Sequence, residues 1–123
     1  MFIYDVGEIH SRILMEEKNG VLEVGLDEAL GIVRKNNVKL IWLGGEPADY
    51  IAGLLDLKNG EIVGVNPNDL VGSREEAAKF RGAIMICYHG NTSAVVARMM
   101  KQRYGVDSYS LKGGVTAVVG EIF

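Results

Sequence analysis

Cysteine occurs once in the 123 residues, tryptophan once, histidine twice and proline twice. One cysteine excludes an internal disulfide and fits a reducing, cytoplasmic setting. With only two histidines in the chain, His10 and His89, it cannot close a structural zinc site; neither metal nor cofactor is expected. Long hydrophobic runs are missing too, and none approaches the ~18 residues of a membrane span. No basic segment precedes a long apolar one near Met1, so no secretory leader is expected. The formal net charge of −3 lacks the basic excess of general nucleic-acid binders. Nucleic acid and membrane are therefore both unexpected as partners.

What is present is ordinary for a globular chain, 48% hydrophobic and 24% charged, and the length suits one domain over residues 1–123. Phe2–Val6 and Ile9–Met15 read as short strands. Lys18-Asn19-Gly20 reads as a hairpin turn into Val21–Val24, because Asn-Gly accepts positive φ at both turn positions. Residues 1–24 are thus expected to form a small antiparallel β extension, with His10 on its surface. Its strands can also pair between chains, which would make a homodimer.

Further along, Asp27 is expected to cap a helix over Glu28–Asn36, with Asn36-Asn37 stopping it. Val38–Leu43 reads as a strand ended by Gly44-Gly45, and Pro47 suits the first turn of a helix over Ala48–Leu55. Tyr50, Ile51, Leu54 and Leu55 share one face of that helix. A second Lys-Asn-Gly turn leads into a strand over Glu61–Val65. Ser73-Arg74-Glu75-Glu76 has capping-box spacing for a short helix reaching Arg81-Gly82. Ser108–Leu111 closes the series as a strand, and Lys112-Gly113-Gly114 turns at its carboxyl end. Alternating strands and helices predict an α/β three-layer sandwich, a mainly parallel central sheet between two helical layers.

The stretch from Ala83 to Arg98 carries the chemistry. Ala83–Ile86 is a continuous apolar run, as a parallel strand buried on both faces requires. Cys87-Tyr88-His89-Gly90-Asn91-Thr92-Ser93 follows, and then a helix from about Ser93 to Tyr104 with Val95, Val96, Met99 and Met100 as its core stripe. Asn91, Thr92 and Ser93 are side chains of the kind that cap helix starts, and Gly90 permits a sharp turn. The pattern puts a thiol at the carboxyl end of a strand, before a helix N-terminus, where open α/β sheets place their sites. Free thiols are mostly protonated at neutral pH, and converging N–H groups with a positive helix end stabilise the anion. Against this stands the inert reading, since lone cysteines are commonly packing groups. The polar Tyr-His-Gly-Asn-Thr-Ser run after Cys87 favours the reactive one.

This loop resembles the active-site loop of rhodanese-type sulfurtransferases, most closely that of the small single-domain thiosulfate sulfurtransferases. Ser110-Leu111-Lys112-Gly113-Gly114-Val115-Thr116-Ala117 resembles the family's Gly-Gly turn, and Glu46-Pro47-Ala48-Asp49-Tyr50-Ile51-Ala52-Gly53 its acidic-Pro helix. The similarity spans about residues 22–119. It implies a rhodanese-like domain in which Cys87 takes sulfane sulfur from thiosulfate or another small anionic donor. A persulfide forms and passes its sulfur to a thiol or cyanide acceptor. It further implies that Tyr88, His89, Gly90, Asn91, Thr92 and Ser93 surround the substrate with N–H groups. The chain departs from the family pattern at Trp42-Leu43-Gly44-Gly45, where an Asp-x-Arg pair is common, at Tyr88 and Thr92, where arginine is common, and at Leu54, where histidine is usual.

Several side chains admit two readings. His89 can meet an anion when protonated or turn to solvent. Thr92 and Ser93 can donate to bound sulfur or oxygen, or cap the helix. Lys112 is a candidate positive charge beside the site, or a solvated surface group. Trp42 is expected in the core. A non-enzymatic sulfur carrier or interaction module is the alternative to an enzyme. A cysteine phosphatase or arsenate reductase is disfavoured, because the oxyanion-gripping arginine of those loops is missing.

Overall fold

A computed structural model describes residues 2–5, 12–18, 21–58 and 60–120, the first two segments by strand path alone. Runs of aliphatic residues form the middle of the sheet, because each side chain there meets a helical layer. Every residue of β4 (Leu40–Trp42) and β6 (Ile84–Ile86) is buried. The other strands are β1 (Phe2–Asp5), β2 (Arg12–Lys18), β3 (Val21–Val24), β5 (Ile62–Gly64) and β7 (Tyr109–Leu111). They join as one sheet in the order β1-β2-β3-β7-β6-β4-β5. From β3 to β5 all pairings are parallel, while β1 and β2 are antiparallel to each other and β2 is antiparallel to β3.

Alternation along the strands sorts the core into two halves. Leu40, Trp42, Ile84, Ile86 and Leu111 face α1 (Leu26–Asn36), α2 (Ala48–Leu54) and the short α6 (Thr116–Val119). Ile41, Leu43 and Met85 face α3 (Pro67–Gly72), α4 (Arg74–Lys79) and α5 (Asn91–Tyr104). The expected three-layer α/β sandwich is therefore the observed architecture. β3 pairs in parallel with β7, so it belongs to the central sheet as well as to the antiparallel extension. Lys18 stands opposite Val21. Val6, Ile9, His10, the expected Asn19-Gly20 turn and Asn59 lie outside the described residues.

Several helix starts differ from expectation. Gly25, not Asp27, precedes α1; Asp27 falls in the first turn, where a carboxylate still faces the positive helix end. Pro47 occupies the position before α2, and Tyr50 points outward, 50% exposed, while Ile51 and Leu55 are buried. Helix α3 went unread in the sequence, although Asn66 Oδ1 accepts the Asn68 N–H at 2.9 Å with Pro67 opening the helix. Ser73 does cap α4, its Oγ accepting the Glu76 N–H at 3.3 Å. Helix α5 begins earlier than expected, and its buried residues are Ser93, Val96, Ala97 and Met100. With Ser93 inward, spacings of three, four and seven residues bring those side chains to the core and turn Val95 out.

Candidate active site

Cys87 directly follows β6, at the carboxyl ends of the parallel strands and between the two helical layers. Its side chain is buried, with the residue only 4% exposed. Gly90 adopts φ +89°, and this left-handed residue reverses the chain into α5. The reversal aims backbone donors back at the sulfur. Gly90 N–H donates to Cys87 Sγ at 3.1 Å and Ser93 N–H donates at 3.3 Å. Helix α5 has no side-chain cap, contrary to the expectation for Asn91, Thr92 and Ser93. Sulfur itself satisfies the first-turn N–H of Ser93, one of the donors a helix start leaves free. Negative charge on that sulfur would face two N–H dipoles and the positive end of a 14-residue helix.

The hydroxyls divide differently. Ser93 is completely buried, its Oγ 3.3 Å from Cys87 Sγ and 2.7 Å from Ser110 Oγ. Ser110 comes from β7 and is likewise completely buried. Asn91 and Thr92 are exposed at the start of α5. His89 is exposed as well, and its Nδ1 lies 3.1 Å from Thr116 Oγ1.

Tyr88 turns away from the sulfur toward the loop after β4. Its ring meets the edge of Trp42 at 5.1 Å between centroids and 82° between planes. Its hydroxyl accepts from Gly45 N–H at 3.0 Å and donates to the Glu46 carboxylate. The Glu46 bond is the main reason that the phenol is harder to ionise than usual. Trp42, fully buried as expected, donates its indole N–H to the Glu46 carbonyl at 2.9 Å. Tyr88, Trp42 and Glu46 thus fasten the cysteine loop to the neighbouring connection.

The turn over Lys112-Gly113-Gly114 closes the other side. Val115 N–H donates to the Cys87 carbonyl at 2.9 Å, and Thr116 N–H to the Tyr88 carbonyl at 3.1 Å. Gly114 makes this approach possible, because a Cβ there would lie 2.5 Å from Cys87 O and from Tyr88 C and O. The Gly-Gly turn thus packs directly against the cysteine loop. In the sequence, Ser110 and Glu46 stand out only as parts of longer segments. Ser110 was detectable as a lone small polar residue in a strand, and Glu46 had no signal beyond the acidic-Pro pattern.

The described residues contain no cluster of three or more candidate metal ligands. Among them, no helix is long and apolar enough to cross a membrane.

No family model matches the sequence, and no curated protein matches it. Solved structures do. A rhodanese-related protein of Thermoplasma volcanium is 18% identical, with TM-score 0.49 over 74% of this chain and 87% of that one. A Staphylococcus saprophyticus protein is 14% identical, with TM-score 0.51 over 76% of this chain and 92% of that one. CoADR-RHD of Bacillus anthracis, in its reduced form, is 16% identical with TM-score 0.51, covering 80% of this chain and 17% of that one. Likeness at such identities is likeness of fold. In this chain that fold is a parallel sheet in the order β3-β7-β6-β4-β5, covered on both faces. The protein folds as a rhodanese-like domain.

Proposed function

We propose that the protein is a sulfurtransferase that moves sulfane sulfur through a persulfide on Cys87. The observation that carries this reading is the pair of backbone N–H groups, from Gly90 and Ser93, converging on Cys87 Sγ at the start of α5. Fixed dipoles aimed at a sulfur favour its anion without reorganising when charge appears. The Cys87 thiolate attacks the outer sulfur of thiosulfate, a new S–S bond forms, the donor's S–S bond breaks, and sulfite leaves. The resulting persulfide anion remains beside the same two N–H groups. Cyanide then attacks its terminal sulfur, giving thiocyanate and restoring the thiolate; a thiol acceptor would take the sulfur in the same way. Burial of Cys87 favours donors that present sulfur end-on, a small anion such as thiosulfate above all. The exposed Asn91, Thr92 and His89 would line the approach, and Tyr88 would hold the loop open through its bonds to Gly45 and Glu46.

Incubation with thiosulfate followed by intact mass measurement should reveal one added sulfur, and cyanide should release it as thiocyanate. Cys87→Ser should abolish both. A stable adduct without turnover would favour the sulfur-carrier alternative. Failure to load sulfur from thiosulfate or a persulfide donor would overturn the proposal.

A further inference from the structure

The buried contact between Ser93 and Ser110 has a chemical consequence for the sulfur. A serine hydroxyl has one proton to donate and lone pairs to accept with. Ser93 Oγ lies between two partners, Cys87 Sγ at 3.3 Å and Ser110 Oγ at 2.7 Å. Both serines are fully buried, so solvent does not compete for these bonds. While Cys87 is a thiol, its S–H can donate to Ser93, whose proton then points to Ser110. Once Cys87 is an anion, the order must reverse: Ser110 donates to Ser93, and the Ser93 O–H turns to the sulfur. We propose that Ser110 is a positioning residue for Cys87. It accepts or donates the second hydrogen bond of Ser93 and so lets that hydroxyl serve either charge state of the sulfur.

This inference rests on the reading of Cys87 as the sulfur nucleophile. Removing the Ser110 hydroxyl frees the Ser93 proton to turn to the anion, but without the polarising donation that strengthens a chain of hydrogen bonds. The anion is then less well supported, although Ser110 touches neither sulfur nor substrate. Ionisable groups on the surrounding elements are Tyr88 and His89 on the loop, Glu46 after β4, Lys112 after β7 and the buried Glu23 of β3, which stands in register with Ser110. All five remain unchanged in the variants below.

The test is the pH profile of Cys87 alkylation by iodoacetamide, whose midpoint reports ionisation independently of access. Ser110→Ala should move the midpoint to higher pH by about 0.1–0.7 unit, the 10–30% polarisation of one charge-assisted hydrogen bond. Ser93→Ala should move it at least as far. In the double variant Ser110→Ala should add nothing to Ser93→Ala, because its influence passes through that hydroxyl. Should Ser110→Ala fail to fold, Ser110→Thr and Ser110→Val form a pair of like shape. The threonine variant should then retain the wild-type midpoint, and the valine variant should lose it. An unmoved midpoint in the hydroxyl-free variant, or equal shifts with and without Ser93, would overturn the inference. Sulfur loading of the wild-type chain from thiosulfate is read separately. Failure to load with shifted midpoints defeats the sulfurtransferase reading alone, and normal loading with unmoved midpoints defeats the relay alone.

Discussion

Adding one methyl group at Gly114 should separate the two turns that enclose Cys87. Gly114 has φ +68°, a conformation that costs a residue with a Cβ roughly 1–2 kcal/mol. Its new Cβ would also lie 2.5 Å from Cys87 O and from Tyr88 C and O, all backbone atoms that no side-chain rotation can clear. Forced displacement of packed groups typically costs 1–3 kcal/mol more, so Gly114→Ala should destabilise by about 2–5 kcal/mol. At roughly 4 °C per kcal/mol for a domain of this size, thermal denaturation should shift down by about 8–20 °C. The displaced atoms accept the Val115 and Thr116 N–H bonds, so Cys87 alkylation should also change. Gly31 supplies the internal control. It is exposed in α1, and a Cβ there would meet nothing within 4 Å. Gly31→Ala should stabilise by about 0.5–1 kcal/mol, since alanine suits a helix interior better than glycine. A Gly114→Ala protein melting within 2 °C of wild type, measured by circular dichroism (a limit of roughly half a kcal/mol), would refute the packing argument.

Three further outcomes follow from the same geometry. Tyr88→Phe keeps the ring edge on Trp42 but removes the bonds to Gly45 and Glu46, and chemical denaturation should record a loss of about 1–2 kcal/mol. Met100→Ala empties a fully buried site on α5 and should cost about 2–5 kcal/mol by the same assay. Glu61 is held down to about 2, chiefly by the Arg34 guanidinium and then by the Lys58 N–H. A carboxyl depressed on folding stabilises the protein above its unfolded value, about 4.3, and that contribution is lost as pH falls toward 2. Glu61→Gln should therefore flatten the fall in melting temperature between about pH 5 and pH 2. An acid limb identical to wild type would contradict this.

The layered fold was legible because its rules are local. Ile84-Met85-Ile86, short and wholly apolar, reads as a strand buried on both faces, and Ser73 with Glu76 marks a helix start through a bond spanning three residues. Helix phase was less legible. Val95 and Val96 are equally apolar, and only the inward turn of Ser93 at the sulfur decides that Val96 is buried and Val95 exposed. Asn91 and Thr92, good caps by type, do not cap because Gly90 takes the cap position and both already lie inside the helix.

Within the site, the sequence by itself determined the nucleophile candidate and the left-handed turn beside it, since one cysteine and one glycine in a strand–loop–helix pattern leave little choice. Only the tertiary structure decided that Tyr88 engages Glu46 and Trp42, that Gly114 lets the second turn close over the loop, and that Ser110 reaches Ser93. These contacts join residues that are distant along the chain. Periodicity and turn chemistry act over a few residues, whereas the meeting of β7 with the cysteine loop depends on how the parallel strands are ordered across the sheet.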